Sequence, residues 1–475
     1  MEIYLLVDFG STYTKITAID LKSETVIGRA QSPTTVETDI SVGLNKALGE
    51  LKLSCGFKEE EVCGRYACSS AAGGLKMAAI GLVPELTLSA ARRAALGAGA
   101  KVVGAYGYEL DNTIVREIEE KRCDIIMLCG GTDGGNKKVI LHNADMLADS
   151  QIDCPVLICG NRVVSEQIGR IMEQAGKRTY ITKNVLPAIN EVDIEPAQSL
   201  IREIFIEHII KAKGLEHAKA FFDKAIMPTP KASLIASELL ADGTASEPGI
   251  GSLLVVEVGG ATINIHSVAD ITPFTPQTIL RGLPEARVSR TVEGDLGIRY
   301  NARTIFDFVG AEQLKLLAEQ MAAGPNSCDP DAYTNMLHEH VEHVPQDYHE
   351  ALMDIALAAS AVNIAVERHA GRLKTEFLAT GETSIQYGKN LFRAENILGT
   401  GGIFRYGIKP EAVLAAALFS EKTPWSLKPC SPKAYLDADY LLYAMGLLSQ
   451  EHPDAALRIM KKYLKPTSPE AGIFR

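Results

Sequence analysis

Two similar stretches dominate this sequence: VDFGSTYTKITAID at residues 7–20 and VEVGGATINIHSVAD at residues 256–270. Each contains an apolar run, an acidic residue, a turn of small residues with a threonine, and a second apolar run. Asp8 and Glu257 take equivalent places, and Gly10 matches Gly259. Two copies of one β-hairpin in a single chain predict two lobes of related fold.

The rest of the chain alternates short apolar runs with amphipathic segments, a pattern typical of α/β proteins whose sheets are covered by helices. Strands are predicted around the two hairpins at 2–8, 14–20, 24–31 and 253–258. Helices are predicted at 39–53, 195–224, 311–323, 349–374, 410–420 and 437–463. The C-terminal third is therefore expected to be mostly helical.

The spacing of apolar runs changes in the segment 100–187, where strands are predicted at 101–106, 124–129, 154–159 and 178–182. Strand and helix alternate there about every 25–30 residues, which indicates a doubly wound, Rossmann-like α/β unit. We interpret it as a module inserted into the first lobe. The predicted domains are 1–99 (first lobe, first part), 100–187 (inserted module), 188–250 (return to the first lobe and a connecting helix), 251–430 (second lobe) and 431–475 (C-terminal connecting helices).

Composition narrows the classes of function. The 475 residues carry a net charge of -11, which argues against general nucleic-acid binding, because phosphate backbones are bound by clustered Lys and Arg. No run of 18 uninterrupted apolar residues and no secretory signal is present, so we expect neither a membrane span nor export. The nine cysteines never have CxxC spacing, which fits a reduced, cytoplasmic chain better than a disulfide framework or a zinc site.

The tip of the first hairpin has the composition of a phosphate clamp. Glycine lets the backbone approach a phosphate, and hydroxyl groups and a mobile cation add donors. Asp8 at the strand end is suited to hold a hydrated Mg²⁺, which keeps several waters and needs few carboxylates. A plain hairpin turn is the alternative interpretation. The expected phosphate-binding residues of this tip are Gly10, Ser11, Thr12, Thr14 and Lys15.

The second hairpin strengthens the nucleotide interpretation, because two such tips are suited to hold one phosphate chain from both sides. Its expected phosphate-binding residues are Gly259, Gly260 and Thr262, and Glu257 takes the place of Asp8. A third small-residue segment follows an apolar strand and is expected to hold the adenosine through Gly399, Thr400, Gly401 and Gly402. Three such loops in this order predict a site for ATP and Mg²⁺.

This order of loops resembles the superfamily of actin, sugar kinases and heat-shock chaperone ATPases. The segment 227–240 (MPTPKASLIASELL) is similar to the first connecting segment of that superfamily, and Ala444-Met445-Gly446 resembles the second. The resemblance implies an α/β fold of two ribonuclease-H-like lobes with ATP in the cleft. It also implies catalytic and metal-binding roles for Asp8 and Glu257, with the Mg²⁺ held through water.

Four longer strings resemble one family within this superfamily, glutamate mutase L, also called GlmL or MutL: ACSSAAGGLKMAAIGLVPELT (67–87), GGTDGGN (130–136), RTVEGDLGIR (290–299) and ILGTGGIF (397–404). The resemblance implies a chaperone-like factor that uses ATP to reactivate or assemble an adenosylcobalamin-dependent mutase or aminomutase. The partner would then be a protein, with no role for nucleic acid or membrane. The identity of the mutase and the oligomeric state stay open.

Two positions depart from the superfamily pattern. Glu257 stands where an aspartate is usual, and Asn264 stands where a second aspartate is usual. We therefore expect slow hydrolysis, which suits a switch. The alternatives are a small-molecule kinase, with Asp133 or Asp295 as the general base, and a nucleotide-binding scaffold with little turnover.

Two further features remain open. The loop Gly130–Gly135 is either a phosphate- or partner-binding loop or a tight strand-to-helix turn. The histidines of segment 338–349 are expected to lie on a solvated surface, because the segment has no HExxH pattern.

Overall fold

The computed structural model describes residues 1–10, 13–33, 35, 39–69, 76–98, 100–189, 191–212, 221–378 and 381–469. The chain forms two compact units. The first contains Met1–Ala232 and Gly282–Pro284, and the second contains Ser233–Arg281 and Glu285–Arg475. The division falls inside one helix, Thr229–Asp242.

The first unit has ten strands in its described residues: β1 Ile3–Phe9, β2 Tyr13–Asp20, β3 Thr25–Pro33, β4 Val62–Ser69, β5 Lys76–Gly81, β6 Lys101–Gly107, β7 Ile125–Leu128, β8 Val156–Ile158, β9 Thr179–Ile181 and β10 Met227–Pro228. Its longer helices are α1 Ile40–Cys55, α2 Ser89–Gly97, α3 Asn112–Glu120, α4 Lys138–Ala148, α5 Arg162–Gln174 and α6 Glu195–Ala212. A 3-10 turn at Glu59–Glu61 and a π turn at Pro84–Leu88 complete the regular structure.

The first sheet of this unit has the order β10-β4-β1-β2-β3. The strands β1, β2 and β3 form an antiparallel meander, and β4 and β10 add in parallel to β1. The predicted first hairpin is therefore present. Every residue of β1 is buried, and its alternate residues Ile3, Leu5, Val7 and Phe9 share one core with α1.

The second sheet of this unit is wholly parallel, with the order β6-β5-β7-β8-β9. Alternate residues of its strands face opposite cores: Met77 joins the core shared with β1 and α2, whereas Ala78 joins a core with α3, α4 and α5. Helices on both faces make the predicted doubly wound architecture. The sheet starts at β5, earlier than the predicted module boundary at residue 100, because β5 pairs with both β6 and β7.

The second unit has nine strands in its described residues: β11 Leu253–Val258, β12 Ile263–Val268, β13 Ile279–Arg281, β14 Val288–Glu293, β15 Arg372–Leu378, β16 Gly381–Tyr387, β17 Asn396–Gly401, β18 Lys433–Leu436 and β19 Lys465–Thr467. The helix α7 Thr229–Asp242 begins in the first unit and ends in the second. The other helices of the second unit are α8 Ala302–Val309, α9 Ala311–Ala322, α10 Pro330–Glu339, α11 Tyr348–His369, α12 Gly402–Tyr406, α13 Pro410–Ala415, α14 Leu442–Leu448 and α15 Pro453–Tyr463.

The main sheet of the second unit has the order β14-β12-β11-β17-β18-β19. Its first five strands repeat the pattern of the first unit: an antiparallel meander β11-β12-β14, followed by β17 and β18 added in parallel. Both units therefore have the strand arrangement of a ribonuclease-H-like lobe, as the two similar hairpins predict. The other three strands of the second unit form a separate sheet with the order β13-β16-β15.

The C-terminal third is less helical than predicted. The predicted helix 349–374 ends at His369, and the chain continues as β15, whose residues pair with β16. The helix α11 is the one helix of the described residues that is long and apolar enough to cross a membrane, but 72% of its apolar window is buried in the core of the second unit. Core helices of folded domains share that composition.

Candidate functional site

In the first hairpin, a backbone hydrogen bond continues the pairing of β1 and β2 beyond the end of β1. The N–H of Gly10 donates to the carbonyl oxygen of Tyr13 at 3.1 Å. A Cβ at Gly10 would lie 2.6 Å from that oxygen, so only glycine fits. The predicted phosphate donors Ser11 and Thr12 fall outside the described residues.

Asp8 lies at the end of β1 and is almost wholly buried, with 1% of its surface exposed. The Thr229 hydroxyl, at the start of α7, donates to Asp8 Oδ1 at 2.6 Å. The Lys15 ammonium lies 3.8 Å from Asp8 Oδ2 and is half-buried. The predicted phosphate donor Thr14 is fully buried, because it alternates with the exposed Tyr13 along β2.

The second hairpin has the corresponding backbone hydrogen bond. The N–H of Gly259 donates to the carbonyl oxygen of Thr262 at 3.0 Å, as Gly10 does to Tyr13. Strand pairing aligns Glu257 with Asn264, as it aligns Asp8 with Lys15. The four turn residues 259–262 are half-exposed. The equivalence of the two hairpins, inferred from sequence, therefore extends to their hydrogen bonds.

Glu257 belongs to a buried polar cluster at the end of β11. Its Oε2 lies 3.2 Å from Asn264 Nδ2, which donates to it, and 3.3 Å from His266 Nε2. Arg290 on β14 donates to Asn264 Oδ1 at 2.9 Å. Within the described part of the chain no group bonds to Glu257 Oε1. That oxygen is therefore the one available to a water molecule or a hydrated metal ion.

Burial sets the charge state of this cluster. Burial lowers the pKa of His266, although Glu257 opposes the shift, so the ring is neutral near pH 7. Burial also lowers the pKa of Arg290 to about 9, again against the attraction of Glu257. A neutral His266 that donates through Nε2 fixes the Glu257 carboxylate in one orientation.

The predicted adenosine segment is mostly internal. Gly399, Thr400 and Gly401 are buried in β17, and only Gly402, the first residue of α12, is exposed. The Thr400 hydroxyl donates to Asp437 Oδ2 at 2.9 Å, so it is engaged within the second unit. No atom lies within 4 Å of a Cβ built on Gly402, which leaves open space there.

These residues fit the chemistry of a nucleotide with Mg²⁺. Each hairpin by itself has a single carboxylate near its strand end, Asp8 in the first and Glu257 in the second, which suits a hydrated Mg²⁺, and the turn 259–262 of the second also offers backbone N–H groups. The described residues contain no group of three or more His, Cys, Asp or Glu side chains arranged to hold a metal ion directly. In the segment 338–349, His338 Nδ1 lies 3.0 Å from the Tyr300 carbonyl oxygen and His343 Nε2 lies 2.9 Å from Glu350 Oε2.

The loop Gly130–Gly135 follows β7 and is held rigidly. The backbone N–H of Arg162 and the Asn184 side chain donate to Asp133 Oδ1 at 3.0 and 2.9 Å. The amide oxygen of Asn161 accepts from Gly134 N at 3.1 Å. Asp133 is therefore an internal anchor of the loop. Asp295, the other base considered for a kinase, lies 2.9 Å from the Arg368 guanidinium.

Sequence reasoning missed two partners of the site. His266 lies two residues after Asn264 on β12 and therefore on the same face as Glu257, so the alternation of a strand was a usable signal. Thr229 is 221 residues from Asp8 in the chain. No local pattern indicates that contact.

Comparison with known proteins identifies the family. A model of the MutL protein family matches residues 4–464. The chain belongs to the MutL family. The Protein MutL of Clostridium tetanomorphum is 46% identical over 465 residues, which are 98% of this chain and 99% of that protein. The family expected from the four sequence strings is thereby confirmed.

Solved structures with similar folds are far more distant from this MutL-family chain. The activator of 2-hydroxyisocaproyl-CoA dehydratase from Clostridium difficile, with bound ADPNP, is 9% identical with a TM-score of 0.34, over 98% of this chain and 99% of that one. A xylulose kinase from Lactobacillus acidophilus is 10% identical with a TM-score of 0.36, over 98% and 93%. Likeness at this level supports no statement about function.

Proposed function

We propose that this MutL-family chain is an ATP-dependent accessory factor that reactivates or assembles an adenosylcobalamin-dependent mutase or aminomutase of the glutamate mutase type. The observation that carries the proposal is the repetition of one hairpin in two ribonuclease-H-like sheets, each with an acidic residue at the strand end and a glycine turn beyond it. The family name supports the mutase as partner.

The chemistry assigned to the site follows from its residues. The turn N–H groups and Lys15 bind the phosphates, and Mg²⁺, when bound, neutralises their charge. Asp8, oriented by Thr229, and Glu257, oriented by His266 and Asn264, hold and align water molecules. A site of this kind works by positioning and electrostatics.

Slow turnover is part of the proposal. Glu257 Oε2 is committed to two neighbours, so a single oxygen on a long side chain is left to orient water. Asn264 removes the second acidic group usual in the superfamily. A slow ATPase alternates between long-lived states, and such states can differ in affinity for a protein partner.

The test is ATP turnover by the purified chain in the presence and absence of an adenosylcobalamin-dependent mutase loaded with hydroxocobalamin. We expect turnover to rise when the inactivated mutase is added and mutase activity to return with ATP and fresh adenosylcobalamin. Turnover that needs a small alcohol or carboxylate instead would support the kinase alternative. ATP binding with no turnover under either condition would support the scaffold.

A further inference from the structure

The turn of the second hairpin is held from behind by the segment 297–301. The carbonyl oxygen of Gly259 accepts from Ile298 N at 3.2 Å, and that of Gly260 accepts from Arg299 N at 2.9 Å. The carbonyl oxygen of Ala261 accepts from the Asn301 side chain at 3.0 Å. The carbonyl oxygens of Gly259, Gly260 and Ala261 are therefore all engaged by this segment.

Three N–H groups of the same turn, unlike these carbonyl oxygens, have no hydrogen-bond partner among the described residues. In the described part of the chain, no group accepts a hydrogen bond from the N–H of Gly260, Ala261 or Thr262. Half-exposed backbone N–H groups without an acceptor suit the binding of an anion such as a phosphate. The segment 297–301 thus determines which side of the peptide planes a phosphate meets.

Close approach of the two segments requires Gly297. A Cβ at that position would lie 2.1 Å from the carbonyl carbon of Ala261, a backbone atom that cannot move without shifting the turn. The turn and the segment behind it are therefore in direct backbone contact.

The segment itself is fixed by a buried ion pair. Arg299 donates to both oxygens of Asp354 on α11, at 3.1 Å to Oδ1 and 2.6 Å to Oδ2. The Tyr333 hydroxyl on α10 donates to Asp354 Oδ1 at 2.9 Å. Asp354 is 3% exposed and Tyr333 is 4% exposed. The bidentate geometry specifies the orientation of the arginine, whose stem would lie 3.5 Å from a Cβ on Gly260.

We propose that Arg299 and Asp354 are positioning residues for the nucleotide phosphates: they hold the segment 297–301 so that the turn 259–262 presents N–H groups and not carbonyl oxygens. They do not touch the nucleotide. The inference rests on the proposed nucleotide site, and it adds two helices, α10 and α11, to the structure on which that site depends.

The test compares the affinities of the full-length chain for ATP and for adenosine, measured by competition against a fluorescent ATP analogue. We expect Arg299→Lys, which keeps the charge but loses the bidentate contact, to weaken ATP binding about tenfold and to leave adenosine binding within twofold. Asp354→Asn and Tyr333→Phe should act in the same direction, and Asp354→Glu should restore part of the ATP affinity. Arg303→Lys is the matched control, because Arg303 forms an exposed ion pair with Asp331.

The outcomes separate this inference from the proposed function. Unchanged ATP affinity in folded Arg299→Lys and Asp354→Asn would overturn the positioning role and leave the nucleotide site standing. Equal losses for ATP and adenosine would mean a general structural role and would also overturn it. A wild-type chain that binds no ATP would refute the proposed function itself. If Asp354→Asn fails to fold, Tyr333→Phe and Arg299→Lys carry the comparison.

Discussion

Replacing Lys428 by methionine should change how the stability of the chain depends on pH. Lys428 is 1% exposed, and its ammonium donates to Asn363 Oδ1 on α11 at 2.7 Å. Burial lowers the pKa of Lys428 from 10.5 to about 8, although Glu367 opposes the shift. A buried ammonium with one close neutral partner is poorly solvated, which favours the uncharged amine.

The sign and size of the effect follow from the two pKa values. Between pH 8 and pH 10.5 the unfolded chain binds a proton at Lys428 that the folded chain has lost, so the free energy of unfolding rises with pH. A shift of one pKa unit corresponds to about 1.4 kcal/mol, so the full span amounts to about 3 kcal/mol. Most of that change, about 2 kcal/mol, falls between about pH 8 and about pH 10.

The assay is denaturant unfolding at a series of pH values for the wild type and Lys428→Met. The difference in unfolding free energy between the two should move by about 2 kcal/mol in favour of the wild type as pH rises over that range. Other titrating groups cancel in the difference. Lys422→Met, at an exposed lysine, is the control and should reproduce the wild-type curve. A difference that stays constant with pH would refute the reasoning about Lys428.

Three further predictions concern the site. Asp8→Ala should abolish Mg²⁺-dependent ATP turnover with little loss of folding, measured by phosphate release and circular dichroism; unchanged turnover would remove Asp8 from the site. Glu257→Asp should preserve or raise turnover because the carboxylate remains, and complete loss would mean that the longer side chain is required. Gly401→Ala should lower the unfolding free energy by about 1–3 kcal/mol, because Gly401 has a φ of 111° and its Cβ would lie 2.2 Å from the Val258 carbonyl oxygen; Gly402→Ala, in open space, is its control and should match the wild type.

Local patterns predicted the two hairpins well because one physical rule governs them. A fully buried strand is a nearly continuous apolar run, and β1 and β11 are such runs, with Asp8 and Glu257 each one residue before the end of the strand. The same reasoning placed the strands of the parallel sheet within a few residues. That reasoning did not predict β5, because the short string KMAAIG (76–81) contains no local signal of the strands with which it pairs.

The remaining misses come from tertiary contacts that override local preference. The strand β17 runs through Gly399 and Gly401, and the lack of a Cβ at Gly399 leaves room for the Phe404 ring. The helical pattern predicts a helix up to residue 374, whereas residues 372–378 form a strand because they pair with β16. The Thr400 hydroxyl donates to Asp437 Oδ2, a contact that no local pattern around Thr400 predicts. Such contacts join residues far apart in the sequence.

The central claim is the proposed nucleotide site: we propose that each hairpin of this MutL-family chain takes part in binding nucleotide phosphate. Its most direct test is the ATP affinity of the wild type, Asp8→Ala and Gly260→Asp with Mg²⁺, measured by titration calorimetry. The account predicts binding by the wild type, which stabilises the fold by about 2.7 kcal/mol at a hundredfold excess over Kd, and much weaker binding by each variant. Gly324→Asp, at an open position, should bind like the wild type. Undiminished ATP affinity in either hairpin variant would contradict the account.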